Sequence, residues 1–169
     1  MMAPRKHNLV LGIYPDSRGF AFVVFEGPLA PVDWGTTEPR GAYKIRTCIA
    51  RISVLFGKYA PDALVLQDMS ETGTRRASQI RSLNEAVALL AETQSIPTFC
   101  FSRAQVREQF APIGAFSKDA IAEAIAKRIP VFERLRPPVR KVWKNEHPRM
   151  ALFDAAALVL TFYQSNIGS

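Results

Sequence analysis

The chain has little to cross-link it and little to carry it into a bilayer. Its 169 residues include two cysteines, Cys48 and Cys100, both in apolar surroundings. That excludes a disulfide scaffold and fits reduced core thiols of a cytosolic, cytoplasmic protein. No segment approaches the roughly 18 consecutive apolar residues that a membrane span needs. The basic start, MMAPRKHN, leads into an apolar run too short for a secretory signal, so that run reads as a first strand. Glycine is scarce: there are nine residues and no glycine-rich phosphate loop. Internal repeats and low-complexity tracts are missing too, so residues 1–169 read as one domain.

What is present is a large apolar fraction and a surplus of positive charge. Hydrophobic residues make up 48% of the chain, enough for a full core at this length. The net charge is +7 and uneven. Residues 1–70 carry eight Lys/Arg and six Asp/Glu; residues 71–169 carry fourteen and nine. The densest stretch is RLRPPVRKVWKNEHPR, with Arg134, Arg136, Arg140, Lys141, Lys144 and Arg149 against Glu146 alone. A basic segment with an aromatic inside it fits a phosphate backbone, so nucleic acid is the expected partner. A solvated Pro-rich connection is the plainer reading.

Hydrophobic spacing gives the order of elements. NLVLGIY reads as a strand, PDSRG as a turn, and GFAFVVFE and PVDWGTTE as two further strands joined by short spacers. In YKIRTCIARISVLFGKYA, Ile45, Ile49, Ile52 and Phe56 recur at helical spacing. DALVLQD is a buried strand entered through Ala60–Pro61, which stops the helix. A loop and a long helix over 75–93 follow, then the strand PTFCFS. SRAQVREQF is a short helix opened by Ser102, and SKDAIAEAIAKRI another with Ser117 as N-cap. MALFDAAALVLTF is a final helix. Three hairpin strands followed by alternating helix and strand predict an α/β fold. It is a mixed five-stranded sheet with its first three strands antiparallel, the first strand central, and helices on both faces. Ligands of such sheets gather at the carboxyl ends of the parallel strands.

Three carboxylates stand where chemistry could occur. Asp154 interrupts the final helix, which is apolar on nearly every face. A buried carboxylate is costly unless paired, hydrogen-bonded or on a metal. Asp16 follows the first strand and Asp68 ends LVLQD. Acids that share a site repel unless a hard cation binds them, so their convergence would imply Mg²⁺ or Mn²⁺. Each has a plainer role as well: Asp16 as a turn former and Asp68 as a loop cap.

Several strings, taken in order, resemble the RuvC-type Holliday-junction resolvases of the ribonuclease H-like superfamily. LGIYPDSRGFAFVVFE resembles that family's first hairpin. PDALVLQDMSETGTRRASQIRSLNEAVALLAE resembles its acidic strand end, loop and helix. SKDAIAEAIAKRI resembles its lysine-bearing helix and LFDAAALVLTF its terminal Asp-Ala helix. The resemblance implies a Mg²⁺- or Mn²⁺-dependent structure-specific endonuclease acting on branched or duplex DNA, working as a homodimer. Asp16, Asp68 and Asp154 would be the catalytic metal ligands, and Lys118 would stabilise developing charge. It also implies that Arg75, Arg76 and Arg81, at the start of the long helix, face the DNA; Arg140, Lys141 and Lys144 of the basic segment are expected nucleic-acid contacts from their charge alone.

The departures from the family pattern open a second reading. Tyr14 stands where the family has the first metal-binding aspartate, with Asp16 two residues on. Gln67 stands at the family's glutamate, with Asp68 next to it. Ala151 occupies the first acidic position of the last helix, while Glu146 and His147 lie about two turns earlier. In a non-catalytic descendant, Tyr14 fills the metal position, Gln67 is a packing residue, and Asp154 pairs with Lys118 or an arginine. Trp34 and Trp143 read first as packing residues, with base stacking as the second reading. An actin-like phosphotransferase shares the opening order of elements, but the missing glycine-rich loops rank it below the others.

Overall fold

Side-chain alternation builds the sheet. The structure, a computed structural model, describes residues 8–70, 75–141 and 143–165; the side chains of residues 75–77 lie outside that description. Strand β1 (Leu9–Pro15) pairs antiparallel with β2 (Phe20–Glu26), which pairs antiparallel with β3 (Pro31–Thr37). Strand β4 (Ala63–Gln67) runs parallel to β1, and β5 (Thr98–Phe101) parallel to β4. The order β3-β2-β1-β4-β5 makes β1 the central strand, as the sequence predicts.

Every second residue of β1 faces the same side. Leu9, Leu11 and Ile13 join the core beneath helices α1 (Lys44–Tyr59) and α2 (Arg75–Thr93). Val10 and Tyr14 face the opposite core, beneath α4 (Lys118–Arg128) and α5 (Met150–Gln164). Helix α3 (Arg103–Phe110) links β5 to that second layer.

Helix α5 lies directly on β1, and Gly12 permits the approach. A Cβ there would sit 2.5 Å from Val159 Cγ2 and 3.0 Å from the Ala155 carbonyl oxygen. Every side chain of α5 from Met150 to Phe162 is buried except that of Asp154, which has one edge open. At the helix's far end the Tyr163 hydroxyl donates to the Asn8 carbonyl and accepts from the Gly27 amide, at 2.6 and 3.0 Å.

Caps fall where the sequence places them. Ser102 accepts from the Gln105 amide, and Gln105 returns the bond to the Ser102 amide, a full capping box. Ser117 accepts from the Ala120 amide. Helix α1 stops at Ala60, which turns into the left-handed region at φ 42° ahead of Pro61.

Three expectations change. The buried stripe of α1 is Cys48, Ile52 and Phe56; Ile45, in the first turn, lines a cleft instead. Cys100 is exposed, because β5 is an edge strand, so only Cys48 is a core thiol. Trp143 is 79% exposed rather than packed, because it rides on the basic loop, whereas Trp34 packs edge-on against Phe132 at 5.2 Å. No helix among the described residues is long and apolar enough to cross a membrane.

Candidate functional site

The carboxyl end of β1 meets α5 and the start of α4. Because α5 sits so close to β1, Asp154, one turn inside α5, comes beside Tyr14, the sixth residue of β1. The Ser117 cap starts α4 at the same edge, so Lys118 reaches across. Its ammonium donates to Asp154 Oδ2 at 3.2 Å and to both carboxylate oxygens of Glu146 at 3.1 and 3.2 Å. It also lies 5.6 Å from the centre of the Tyr14 ring, within cation–π range.

Burial and charge set the protonation states. Burial pushes the Asp154 carboxyl up to about 6, and the Lys118 ammonium only partly offsets it. Burial, then the Asp154 charge, pushes the Tyr14 phenol up to about 12, so it is neutral at physiological pH. Burial opposes charge on Lys118, but Asp154, the Tyr14 oxygen and Glu146 outweigh it and raise its pKa; the ammonium stays charged. At neutral pH the site is thus a cation held between two carboxylates under a neutral phenol.

Around it, the basic loop is tied down. Arg18, in the β1–β2 turn, donates to the Glu146 carbonyl at 3.0 Å. Arg149 Nε donates to the Leu135 carbonyl at 2.8 Å, and Arg140 Nε to the Lys144 carbonyl at 2.8 Å. Glu146 and His147 lie in the turn before α5, not on the helix, because α5 begins only at Met150. Of the two, Glu146 reaches Lys118, while His147 Nδ1 accepts from the Arg149 amide.

The other two predicted acids sit elsewhere. Asp16 Oδ1 accepts from the amides of Arg18 and Gly19 at 2.8 and 2.9 Å, closing its own turn. It lines a separate cleft of about 500 Å³ with Tyr43, Lys44 and Gln79. The tight return at Gly19 holds this turn: a Cβ there would sit 2.0 Å from the Thr37 carbonyl oxygen. Asp68 is exposed and accepts from the Ser70 amide at 3.0 Å, a bond that holds its pKa below the usual value. Gln67, half-buried, lines the cavity with Tyr14, Lys118 and Asp154. Among the described residues no group of three or more His, Cys, Asp or Glu side chains could hold a metal ion.

Of the cations expected to meet nucleic acid, Arg140, Lys141 and Lys144 are exposed and line one cavity with Arg18. Arg81 is half-buried on α2, under the other face of the sheet. The side chains of Arg75 and Arg76 lie outside the described residues. Two cations went unread in the sequence: Arg103 and Arg107, on α3, line the cavity that holds Tyr14, Lys118 and Asp154. Their four-residue spacing on a helix that follows a parallel strand was the available signal.

Sheet order, the parallel β1–β4 pair and a terminal helix laid across β1 define a ribonuclease H-like fold. No protein-family model matches the chain. A curated relative, the crossover junction endodeoxyribonuclease RuvC of Myxococcus xanthus, is 29% identical over 124 residues, 69% of this chain and 65% of that protein. The match therefore spans less than two thirds of the relative's length. Among solved structures, Thermus thermophilus RuvC in complex with Holliday junction substrate aligns with a TM-score of 0.68 at 19% identity, over 92% of each chain. The yeast mitochondrial Holliday junction resolvase Ydc2 aligns at 0.60 and 13% identity, over 95% of this chain and 81% of its own. Within the ribonuclease H-like fold, the chain is similar to the RuvC-type resolvases.

Proposed function

We propose that this protein is a RuvC-like nucleic-acid-binding protein that engages branched DNA, and that its binding needs no divalent metal. One observation carries the second half: the Lys118 ammonium sits between Asp154 and Glu146, with Tyr14 against it. A divalent ion held there would have to displace a cation already paired with two carboxylates. It would find a neutral phenol at the end of β1 and the neutral Gln67 at the end of β4. The donor set does not fit a metal pair. The basic loop and its exposed Arg140, Lys141 and Lys144 support backbone contact.

A second reading has its own support. The RuvC of Myxococcus xanthus is an endodeoxyribonuclease, and Asp154 stands in the helix of this chain that resembles the family's terminal Asp-Ala helix. A Mg²⁺- or Mn²⁺-dependent endonuclease would need Asp16 and Asp68 to leave the turns they now close and join Asp154. A homodimer suits either reading, since a four-way junction has two-fold symmetry, and a cytoplasmic place of action fits both.

Labelled four-way junctions, incubated with Mg²⁺, Mn²⁺ or EDTA beside Asp154→Asn, separate the two. Binding that is indifferent to metal, with no cuts, is the expected result. Metal-dependent cuts that vanish in Asp154→Asn would overturn it in favour of the nuclease.

A further inference from the structure

The largest apolar ring left in water stands among the densest charge. Trp143 is 79% exposed, more than any other large hydrophobic side chain among the described residues. Trp34, the chain's other tryptophan, packs on Phe132 instead. Arg140, Lys141 and Lys144 flank Trp143 in sequence and are exposed with it. The Lys141 ammonium lies over the indole, 5.6 Å from the ring centre.

The loop presents this ring through a closed set of bonds. The Lys144 amide donates to the Lys141 carbonyl at 3.0 Å, closing a turn that has Trp143 inside it. Arg140 Nε donates to the Lys144 carbonyl at 2.8 Å, a second tie across the same turn. Further out, Arg149 Nε donates to the Leu135 carbonyl and Arg18 to the Glu146 carbonyl. These ties use guanidinium and backbone groups. The ammoniums of Lys141 and Lys144 enter no ion pair among the described residues; Glu146, the acid next along the loop, is committed to Lys118.

A nucleotide joins a flat π face to an anionic phosphate. An exposed indole with an ammonium over it and more cations beside it can meet both halves at once. Inside an uninterrupted duplex, each base has both faces covered by its neighbours. A base in a single strand, or where base pairs end at a branch point, has a face to give.

We propose that Trp143 is a stacking platform for an unpaired or branch-point base, with Lys141 and Lys144 meeting the phosphates on either side of it. This rests on the reading of the chain as a branched-DNA-binding protein. It adds which feature of branched DNA the basic loop recognises: the open face of a base, beyond the charge of the backbone.

The test compares the wild type, Trp143→Ala and Trp143→Phe in EDTA at one fixed low salt. Each is titrated with a labelled four-way junction, a single-stranded oligothymidylate and a long uninterrupted duplex, and tryptophan emission is followed with the oligothymidylate. Trp143→Ala is expected to bind the junction and the single strand about tenfold more weakly, and Trp143→Phe, which keeps a ring, within about threefold of the wild type. Duplex binding should be the same in all three. The oligothymidylate should quench wild-type emission and leave that of Trp143→Phe, which comes from Trp34 alone, unchanged. Unchanged thermal melting would show that the variants fold. Junction affinity in Trp143→Ala equal to the wild type, an equal loss on the duplex, or wild-type emission that bound DNA leaves untouched overturns the platform, while wild-type binding keeps the functional reading standing. A wild type that binds none of the three DNAs brings down that reading and the platform with it.

Discussion

The two faces of the sheet solve burial in different ways. Under α1 and α2 the core is Leu11, Ile13, Ile52, Phe56, Leu64 and Leu66, and none of its buried residues is charged. Under α4 and α5 the core is richer in rings, with Phe132 packed against both Phe25 and Phe153, yet it admits Asp154 at its edge. The difference lies in what a second element can deliver. The cap at Ser117 starts α4 where Lys118 can reach Asp154, and the loop tied by Arg18 brings Glu146 to the same ammonium. On the other face Asp16 finds its partners within its own turn, so it stays at the rim. A buried charge survives where a partner from elsewhere in the chain is positioned for it.

The comparison breaks most visibly through the cores. Phe56→Ala and Phe153→Ala should each cost about 4 kcal/mol, nearly equal, since both rings are buried. Urea unfolding measures this, and a much cheaper Phe153→Ala would mean that α5 is not the packed element described. Next comes Lys118→Met, expected to cost about 3 kcal/mol because it strands Asp154 without its cation. A neutral or stabilising result would show that the ion pair contributes nothing.

The pH dependence sharpens the same contrast. Asp154 holds its proton more tightly in the folded chain, at about 6 against an ordinary 3.8. A folded state that binds more protons loses stability as pH rises, here between about 4 and 6. Measured against Asp154→Asn, the wild type should lose up to about 3 kcal/mol across that window and then level off. A difference that stays flat would mean that the carboxyl is not desolvated. The smallest effects are at the caps: Ser102→Ala and Ser117→Ala should each cost about 1 kcal/mol. Ser117→Ala alone should also loosen Lys118, read as a rise in the apparent pKa of Asp154-linked unfolding, because that ammonium holds the Asp154 pKa down.

Much of this was legible residue by residue. The alternation in LVLGIY, the Ala60–Pro61 stop and both serine caps are local signals, and each element formed where its signal lay. Asp154 announced itself because an apolar helix leaves a lone carboxylate nowhere neutral to go. The pairing of Asp154 with Lys118 was open as one of two readings, since a lysine 36 residues away carries no local mark of its partner. Arg103 and Arg107 escaped notice because a short polar helix looks the same whether its basic face meets water or a cavity. Trp143 misled because aromatic residues are usually buried, and only the path of the loop shows that this one is not.

The sequence by itself determined the elements, their order and the central place of β1, because backbone propensity, capping and hydrophobic period are properties of neighbouring residues. It also determined that a carboxylate would be buried in the last helix. Only the tertiary structure decided which groups face that carboxylate. Side-chain partners at the ends of β1, α3, α4 and α5 are set by how closely α5 lies on Gly12 and where the loops are tied. A charge in low dielectric responds to whatever those few ångströms bring within reach.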